Sequence, residues 1–251
     1  MARRNGTTAG AAVRLESLWK VYGTGQAEVV ALRDVTVDFP ASSFTAVMGP
    51  SGSGKTTLLP CAAGLAEPTR GSVRLGGTDI AGLQEKELAL VRRQRMGFVF
   101  QSFNLLPALT GRENTVLPLQ LAGRGVDRDW LELILERTGM REHIDRYPHE
   151  LSGGQQQRVA VCRALLARPE VIFADEPTGA LDSRTGEEIL ALLRASVDEL
   201  DQTVVMVTHE PAAAACADRV LFLRDGRIAG TLEQPTAASL RAHLDALERA
   251  R

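Results

Sequence analysis

Aromatic side chains are scarce in this 251-residue chain, which holds 2 Trp, 2 Tyr and 7 Phe. No apolar run approaches the ~20 residues that a helix needs to cross a bilayer, so a membrane is expected to be reached only through a partner. Cysteine is also sparse: Cys61, Cys162 and Cys216 are odd in number and show no CxxC spacing. That pattern argues against a disulfide framework and a paired-cysteine metal site, and it fits reduced thiols in a reducing compartment. An excess of one charge is missing as well. With 29 Lys and Arg against 31 Asp and Glu the formal net charge is -2, so no basic field recommends nucleic acid as a partner. The opening stretch MARRNGTTAGAA lacks the apolar core of a signal peptide. What remains, 44% hydrophobic residues and 23 glycines, is enough for a full core in one large domain with an inserted subdomain.

The glycines concentrate in GPSGSGKTT at 49–57. Gly49, Pro50, Ser51, Gly52, Ser53 and Gly54 carry too little side chain to keep the backbone from wrapping a polyphosphate, so successive N–H groups can point at its oxygens. Lys55 supplies a compact cation near the outer phosphates, Thr56 places a hydroxyl where Mg2+ would sit, and Thr57 completes the motif. Residues 44–48 read as a buried strand, and Thr56 onward reads as a helix whose positive end faces the phosphates. Strand, loop and helix in that order separate this motif from an ordinary glycine-rich turn.

Val171, Ile172, Phe173 and Ala174 form a short apolar run ending in Asp175 and Glu176, as expected of a buried parallel strand delivering carboxylates at its C-terminal edge. Asp175 suits a Mg2+ ion reached through water. Glu176 is placed to orient or deprotonate an attacking water. Acidic pairs also end strands in purely structural settings, and the phosphate loop upstream is what gives this one weight.

LSGGQ at 151–155 has Ser152 in position to cap a helix over 156–167, with Gln155 three residues on to complete a capping box. A capped helix start with two glycines is also an anion site. Together with Gln156, Gln157 and Arg158, these residues resemble the signature of ATP-binding cassette proteins, the ATPase subunits of ABC transporters. The resemblance implies an α/β fold, a P-loop NTPase of the ABC ATPase kind with a parallel central sheet, an antiparallel β subdomain and an inserted helical subdomain. It implies ATP and Mg2+ as the bound groups, and contact of Ser152, Gly153, Gly154 and Gln155 with the γ-phosphate held by the opposite subunit of a pair. By the same resemblance, Tyr22 in KVYG stacks on adenine, a contact type worth about 1–3 kcal/mol. Gln101, after a strand at 96–100, senses Mg2+ and the attacking water. His209 in VTHE hydrogen-bonds the γ-phosphate, and Asp182 in GALD belongs to a loop crossing the pair's interface. Lys55, Gln101, Glu176 and His209 are then the catalytic set, and Thr56, Gln101 and Asp175 the Mg2+ set. Taken singly, Tyr22 reads as a surface tyrosine and His209 as a satisfied structural histidine.

Three longer stretches, YGTGQAEVVAL at 22–32, FQSFNLLPALTGRENTVLPLQLAG at 100–123 and DEPTGALDSRTGEEIL at 175–190, resemble the lipoprotein-release and macrolide-export type of ATPase. That branch implies a homodimer or a pair with another ABC ATPase, closing on ATP to drive an integral membrane permease with a large extracytoplasmic domain. The chain would then sit on the cytoplasmic face of the cell membrane, bound through that permease. The alternative is the ATPase of a mechanotransmission or antimicrobial-peptide-sensing complex that moves no solute. Soluble family members acting on ribosomes or DNA carry two cassettes, coiled coils or zinc insertions, for which this sequence shows no heptads or cysteine pairs. Four residues depart from the family pattern. Pro60 lies inside the P-loop helix, where a kink or a shifted start is expected. Ser42 and Ser43 replace a glycine-containing turn, and Gly179 replaces a serine.

Along the chain, residues 1–12 read as a disordered tail. Runs at 13–18, 29–32, 35–39 and 72–75 suggest the antiparallel sheet, and runs at 45–48, 97–100, 171–174, 204–208 and 220–224 the parallel one. The cassette is expected over 13–235, with the helical insertion at about 102–165, including an amphipathic helix over 130–138, and a C-terminal helix over 236–251. Phe103, Leu105, Leu106 and Leu109 read either as core or as a groove for a short permease helix.

Overall fold

The computed structural model describes residues 10–249. Strand β1 (Ala11–Tyr22) pairs antiparallel with β2 (Val29–Pro40) and with β4 (Arg70–Leu75), and β4 turns back to pair antiparallel with β5 (Thr78–Asp79), giving the order β2-β1-β4-β5. The alternation in β1 sends Val13 and Leu15 inward and Arg14 outward, as the period of two requires. Ala11 and Ala12, expected in a disordered tail, are the first residues of β1; residues 1–9 of that tail lie outside the described residues. The separate strands expected at 29–32 and 35–39 are one strand. Asp34 takes φ 54°, and the register with β1 shifts between Leu18↔Val35 and Lys20↔Leu32, so the charged pair Arg33–Asp34 marks a bulge rather than a turn.

The second sheet has six strands in the order β10-β9-β3-β8-β7-β6, formed by β3 (Phe44–Met48), β6 (Met96–Phe100), β7 (Val171–Asp175), β8 (Val204–Val207), β9 (Arg219–Arg224) and β10 (Arg227–Glu233). Five strands are parallel, as the apolar runs imply. The sixth, β10, is antiparallel to β9, and its alternation is too weak to mark it as a strand in the sequence. Its signal is Asp225-Gly226, whose φ values of 49° and 74° make the tight turn that joins two antiparallel strands. Alternate residues of β3, β7, β8 and β9 supply two cores on opposite faces. Ala46, Ala174, Met206 and Phe222 face one, and Val47, Phe173, Val205 and Leu221 the other.

The helices are α1 (Lys55–Ala62), α2 (Glu85–Arg95), α3 (Gly111–Leu121), α4 (Arg128–Arg137), α5 (Gly153–Leu166), α6 (Ser183–Leu200), the short α7 (Pro211–Ala214) and α8 (Ala237–Arg249). α4 begins two residues ahead of the expected start because Asp127 Oδ1 accepts from the Trp130 N–H at 3.1 Å. Pro60 does not shift the start of α1, which opens at Lys55. The helix instead stops at Ala62, and the Pro60 carbonyl accepts from the N–H groups of Leu65 and Ala66. Ser42 adopts the left-handed φ of 52° that a glycine would take without cost. Its N–H donates to Thr203 Oγ1 and its Oγ to the Asp201 carbonyl, both at 3.0 Å. The C-terminal helix packs on the second sheet: Leu240 is fully buried and His243 stacks on Phe222 with ring centroids 4.1 Å apart.

Candidate nucleotide site

Register decides where the functional side chains emerge. Val207 of β8 lies opposite both Val47 of β3 and Asp175 of β7, and Asp175 lies opposite Phe100 of β6. Four adjacent parallel strands therefore end in one row. The chain leaves that row as the loop at Gly49, as Thr208–His209, as Glu176 and as Gln101, along the C-terminal edge where open α/β sheets take their ligands.

The loop is built for an anion. A Cβ on Gly49 would stand 2.0 Å from the Leu223 carbonyl oxygen, and one on Gly54 2.5 Å from that of Ala31, so only glycine fits either position. Gly52 and Gly54 take φ of 77° and 105°. The Ser53 N–H donates to the Pro50 carbonyl, whereas those of Gly52, Gly54, Lys55 and Thr56 donate to no protein acceptor among the described residues. Ser53 Oγ is buried without a partner. These free donors at the N-terminus of α1 suit a polyphosphate. Lys55 Nζ donates to the carbonyls of Gly49 and Pro50 at 2.7 and 2.9 Å. Burial lowers its pKa, and the charge of Glu176 opposes that shift.

The carboxylates differ in setting. Burial, then the neighbouring Glu176 charge, raises the pKa of Asp175. Glu176 sits just past the strand at φ 44°, a costly conformation for a side-chain-bearing residue. Its N–H donates to the Val207 carbonyl and its own carbonyl accepts from the Gly179 N–H, each at 3.0 Å. Glu176 Oε1 lies 2.9 Å from His209 Nδ1. Gln101 is exposed, and a Cβ on Gly179 would stand 2.8 Å from its Nε2. The glycine that departs from the family pattern thus gives Gln101 room to lie across that loop.

A second group surrounds the starts of α5 and α6. Ser152 Oγ accepts from the Gln155 N–H at 3.3 Å while Gln155 Oε1 accepts from the Ser152 N–H at 3.0 Å, the capping box read from the sequence. α5 starts at Gly153, three residues earlier than expected. A Cβ on Gly154 would lie 2.3 Å from Thr185 Cγ2, so this glycine also permits close packing of α5 on α6. Asp182 caps α6, with Oδ1 accepting from the Thr185 N–H at 3.1 Å and Oδ2 from Thr185 Oγ1 at 2.6 Å. Those hydrogen bonds lower its pKa. Tyr22 stands exposed at the end of β1, with Lys20 Nζ 5.0 Å from its ring centroid.

One residue of the signature, given no separate role by the sequence, joins the groups. Gln157 is completely buried, and its Nε2 donates to the Phe100 carbonyl at 3.2 Å and to that of Pro177. The available signal is a glutamine among the otherwise apolar residues of the buried face of α5. Among the described residues no three or more His, Cys, Asp or Glu side chains form a metal cluster, and no helix is long and apolar enough to cross a membrane.

A family model described as "ABC transporter" matches residues 32–179, more than half of the chain. The chain belongs to the ABC transporter family. Its fold is that family's ATPase cassette and its chemistry is ATP hydrolysis. MacB of Syntrophobacter fumaroxidans, a macrolide export ATP-binding/permease protein, is 44% identical over 220 residues, 86% of this chain but 31% of MacB, so the chain spans about a third of that relative. BceA of Halalkalibacterium halodurans, a bacitracin export ATP-binding protein, is 41% identical over 84% of this chain and 85% of its own length. A solved structure, the dimeric post-hydrolysis state of the cassette MJ0796 bound to ADP and Pi, superposes with a TM-score of 0.80 at 40% identity, covering 88% of this chain and 98% of that one. MJ0796, from Methanocaldococcus jannaschii, is 43% identical over 86% of this chain and 94% of its own length.

Proposed function

We propose that this chain works as one half of a pair of cassettes, a homodimer or a pair with a related subunit, that closes over two ATP molecules and drives a membrane permease of the macrolide-export or lipoprotein-release type. The row of strand ends bearing the phosphate loop, His209, Glu176 and Gln101 carries this reading, because it gathers a cradle, a base and its partner at one edge. The export names of MacB and BceA favour moving a solute over sensing one.

The residues divide the work. Tyr22 stacks on adenine, the N–H groups of Gly52, Gly54, Lys55 and Thr56 hold the phosphates, and Lys55 exchanges the loop carbonyls for phosphate oxygens. Thr56 and Gln101, with Asp175 through water, would hold Mg2+, a hard ion that takes few protein ligands beside phosphate and water; bound there it neutralises charge on the β- and γ-phosphates. Glu176 orients the attacking water and accepts its proton as the new P–O bond forms and the bond to the β-phosphate oxygen breaks, leaving ADP and phosphate. His209 Nδ1 lies against the Glu176 carboxylate, and the ring N–H turns from that carboxylate to the γ-phosphate when nucleotide is bound. Ser152, Gly153, Gly154 and Gln155 of the opposite subunit close the site, with Asp182 in the loop between them.

The permease, which would have a large extracytoplasmic domain, holds the pair on the cytoplasmic face of the membrane. Its short helix would seat in a cavity of about 520 Å3 lined by Phe98, Phe100, Leu117, Leu121 and Ala164. Of the cluster read either as core or as a groove, Leu105 packs on the core while Leu106 is exposed. Glu176→Gln tests the pairing. With Mg-ATP it should accumulate as a dimer by light scattering, and a variant that stays monomeric at high protein and ATP would contradict the shared site.

A further inference from the structure

Two consecutive residues just after Gln101, Phe103 and Asn104, take left-handed φ values of 61° and 49°. Asparagine tolerates this conformation, but the bulky Phe103 is costly there unless something outside the turn holds it. The Asn104 N–H turns back to the Ser102 carbonyl at 2.6 Å and the Phe103 N–H to that of Phe100 at 3.1 Å. Their carbonyls point the other way, toward α5. There Arg163 donates through one terminal nitrogen to the Asn104 carbonyl at 2.5 Å and through the other to the Phe103 carbonyl at 2.9 Å. Among the described residues no carboxylate pairs with Arg163, and burial lowers its pKa. An unpaired guanidinium taken partly out of water is retained at a cost, and here its two-pronged donor geometry matches two adjacent carbonyls. Six residues earlier on the same helix, the Gln157 amide holds the Phe100 carbonyl. α5 therefore grips the segment 100–104 at both ends.

We infer that Arg163 is a positioning residue that clamps the turn behind Gln101 to α5, so that Gln101 and Ser152, the capping residue of the same helix, move as one piece. The inference rests on the paired reading above and extends it. Gln101 faces the nucleotide held by its own chain, whereas Ser152 faces the one held by the partner. A displacement of Gln101 when its own γ-phosphate leaves would then be passed along α5 to the second site. A planar fork can hold both carbonyls at once; a lysine ammonium on a flexible stem cannot fix the pair in the same way.

The test is a double-mutant cycle on the ATPase rate of the full chain, with Gln101→Ala, Arg163→Ala and the two combined, alongside nucleotide Kd. If Arg163 acts through Gln101, Arg163→Ala lowers kcat at least about tenfold with Kd within about twofold of wild type, and adds nothing in the Gln101→Ala background. Arg163→Lys should recover only part of the rate. Factors that multiply in the double variant, or a wild-type kcat in Arg163→Ala, would overturn the clamp. Should Arg163→Ala fail to fold, Arg163→Lys, which keeps stem and charge, takes its place in the cycle: kcat should fall by at least about threefold with Kd unchanged and with no further loss in the Gln101→Ala background, and multiplying factors would overturn the clamp. Gln101→Ala turning over at the wild-type rate would instead remove the role assigned to Gln101, and the clamp with it.

Discussion

His209 Nδ1 lies 2.9 Å from Glu176 Oε1, although the two residues are 33 positions apart and leave different strands. The contact joins a mostly shielded carboxylate to a largely exposed ring. It also holds in place a glutamate whose backbone is already constrained at φ 44°. Because base catalysis contributes about 10²–10⁴-fold, Glu176→Gln should lower ATP turnover by at least about 100-fold. His209→Ala, which leaves the base but frees its carboxylate, should lose less. Single-turnover hydrolysis would check the order; a larger loss for His209→Ala would refute it.

Tyr22 offers a ring face that does not depend on base identity. Tyr22→Ala should weaken ATP and GTP binding by similar amounts, about 1–3 kcal/mol each. Nucleotide titration by calorimetry reads this directly, and an unchanged Kd for both would discard the stacking role.

Gly154 is a packing residue as well as a member of the signature. In Gly154→Ala the new Cβ would meet Thr185 Cγ2 at 2.3 Å, so α5 or Thr185 must move. The expected cost is about 1–3 kcal/mol in urea unfolding. Adding Thr185→Ser, which removes the offending methyl, should recover most of it, and a double variant no more stable than Gly154→Ala would contradict the contact.

Gly179 makes room for Gln101. A side chain there would stand 2.8 Å from Gln101 Nε2, at the far end of a movable chain, so Gly179→Ser should leave the melting temperature nearly unchanged while moving the amide. Misplacement on the order of 1 Å can cost up to about 100-fold in rate. A drop in kcat at constant Tm and Kd is expected; a fall in Tm without a change in kcat would place the effect in folding.

Burial raises the thiol of Cys61 to about 11 and those of Cys162 and Cys216 to about 12. A raised thiol pKa favours the neutral form, so at pH 8 the Cys61 thiolate fraction is on the order of 10⁻³. Iodoacetamide at pH 8 should label the native protein much more slowly than the urea-unfolded chain. Rapid native labelling would show that these thiols are not shielded.

Features set by residues adjacent in the chain are legible in the sequence. The spacing from Gly49 to Thr57 dictates a loop that only small residues can form, Ser152 and Gln155 cap each other within one helical turn, and the run 171–174 must be buried before its two carboxylates. These are local facts, governed by backbone sterics and by hydrogen bonds spanning three or four residues. The meeting of His209 with Glu176, the space that Gly179 leaves for Gln101 and the grip of Arg163 on Phe103 and Asn104 had no local sign. Each joins segments about 33 to 78 positions apart, a span that only sheet register and helix packing can set. Single residues such as Arg163 read as ordinary surface charge until the carbonyls they hold are brought beside them.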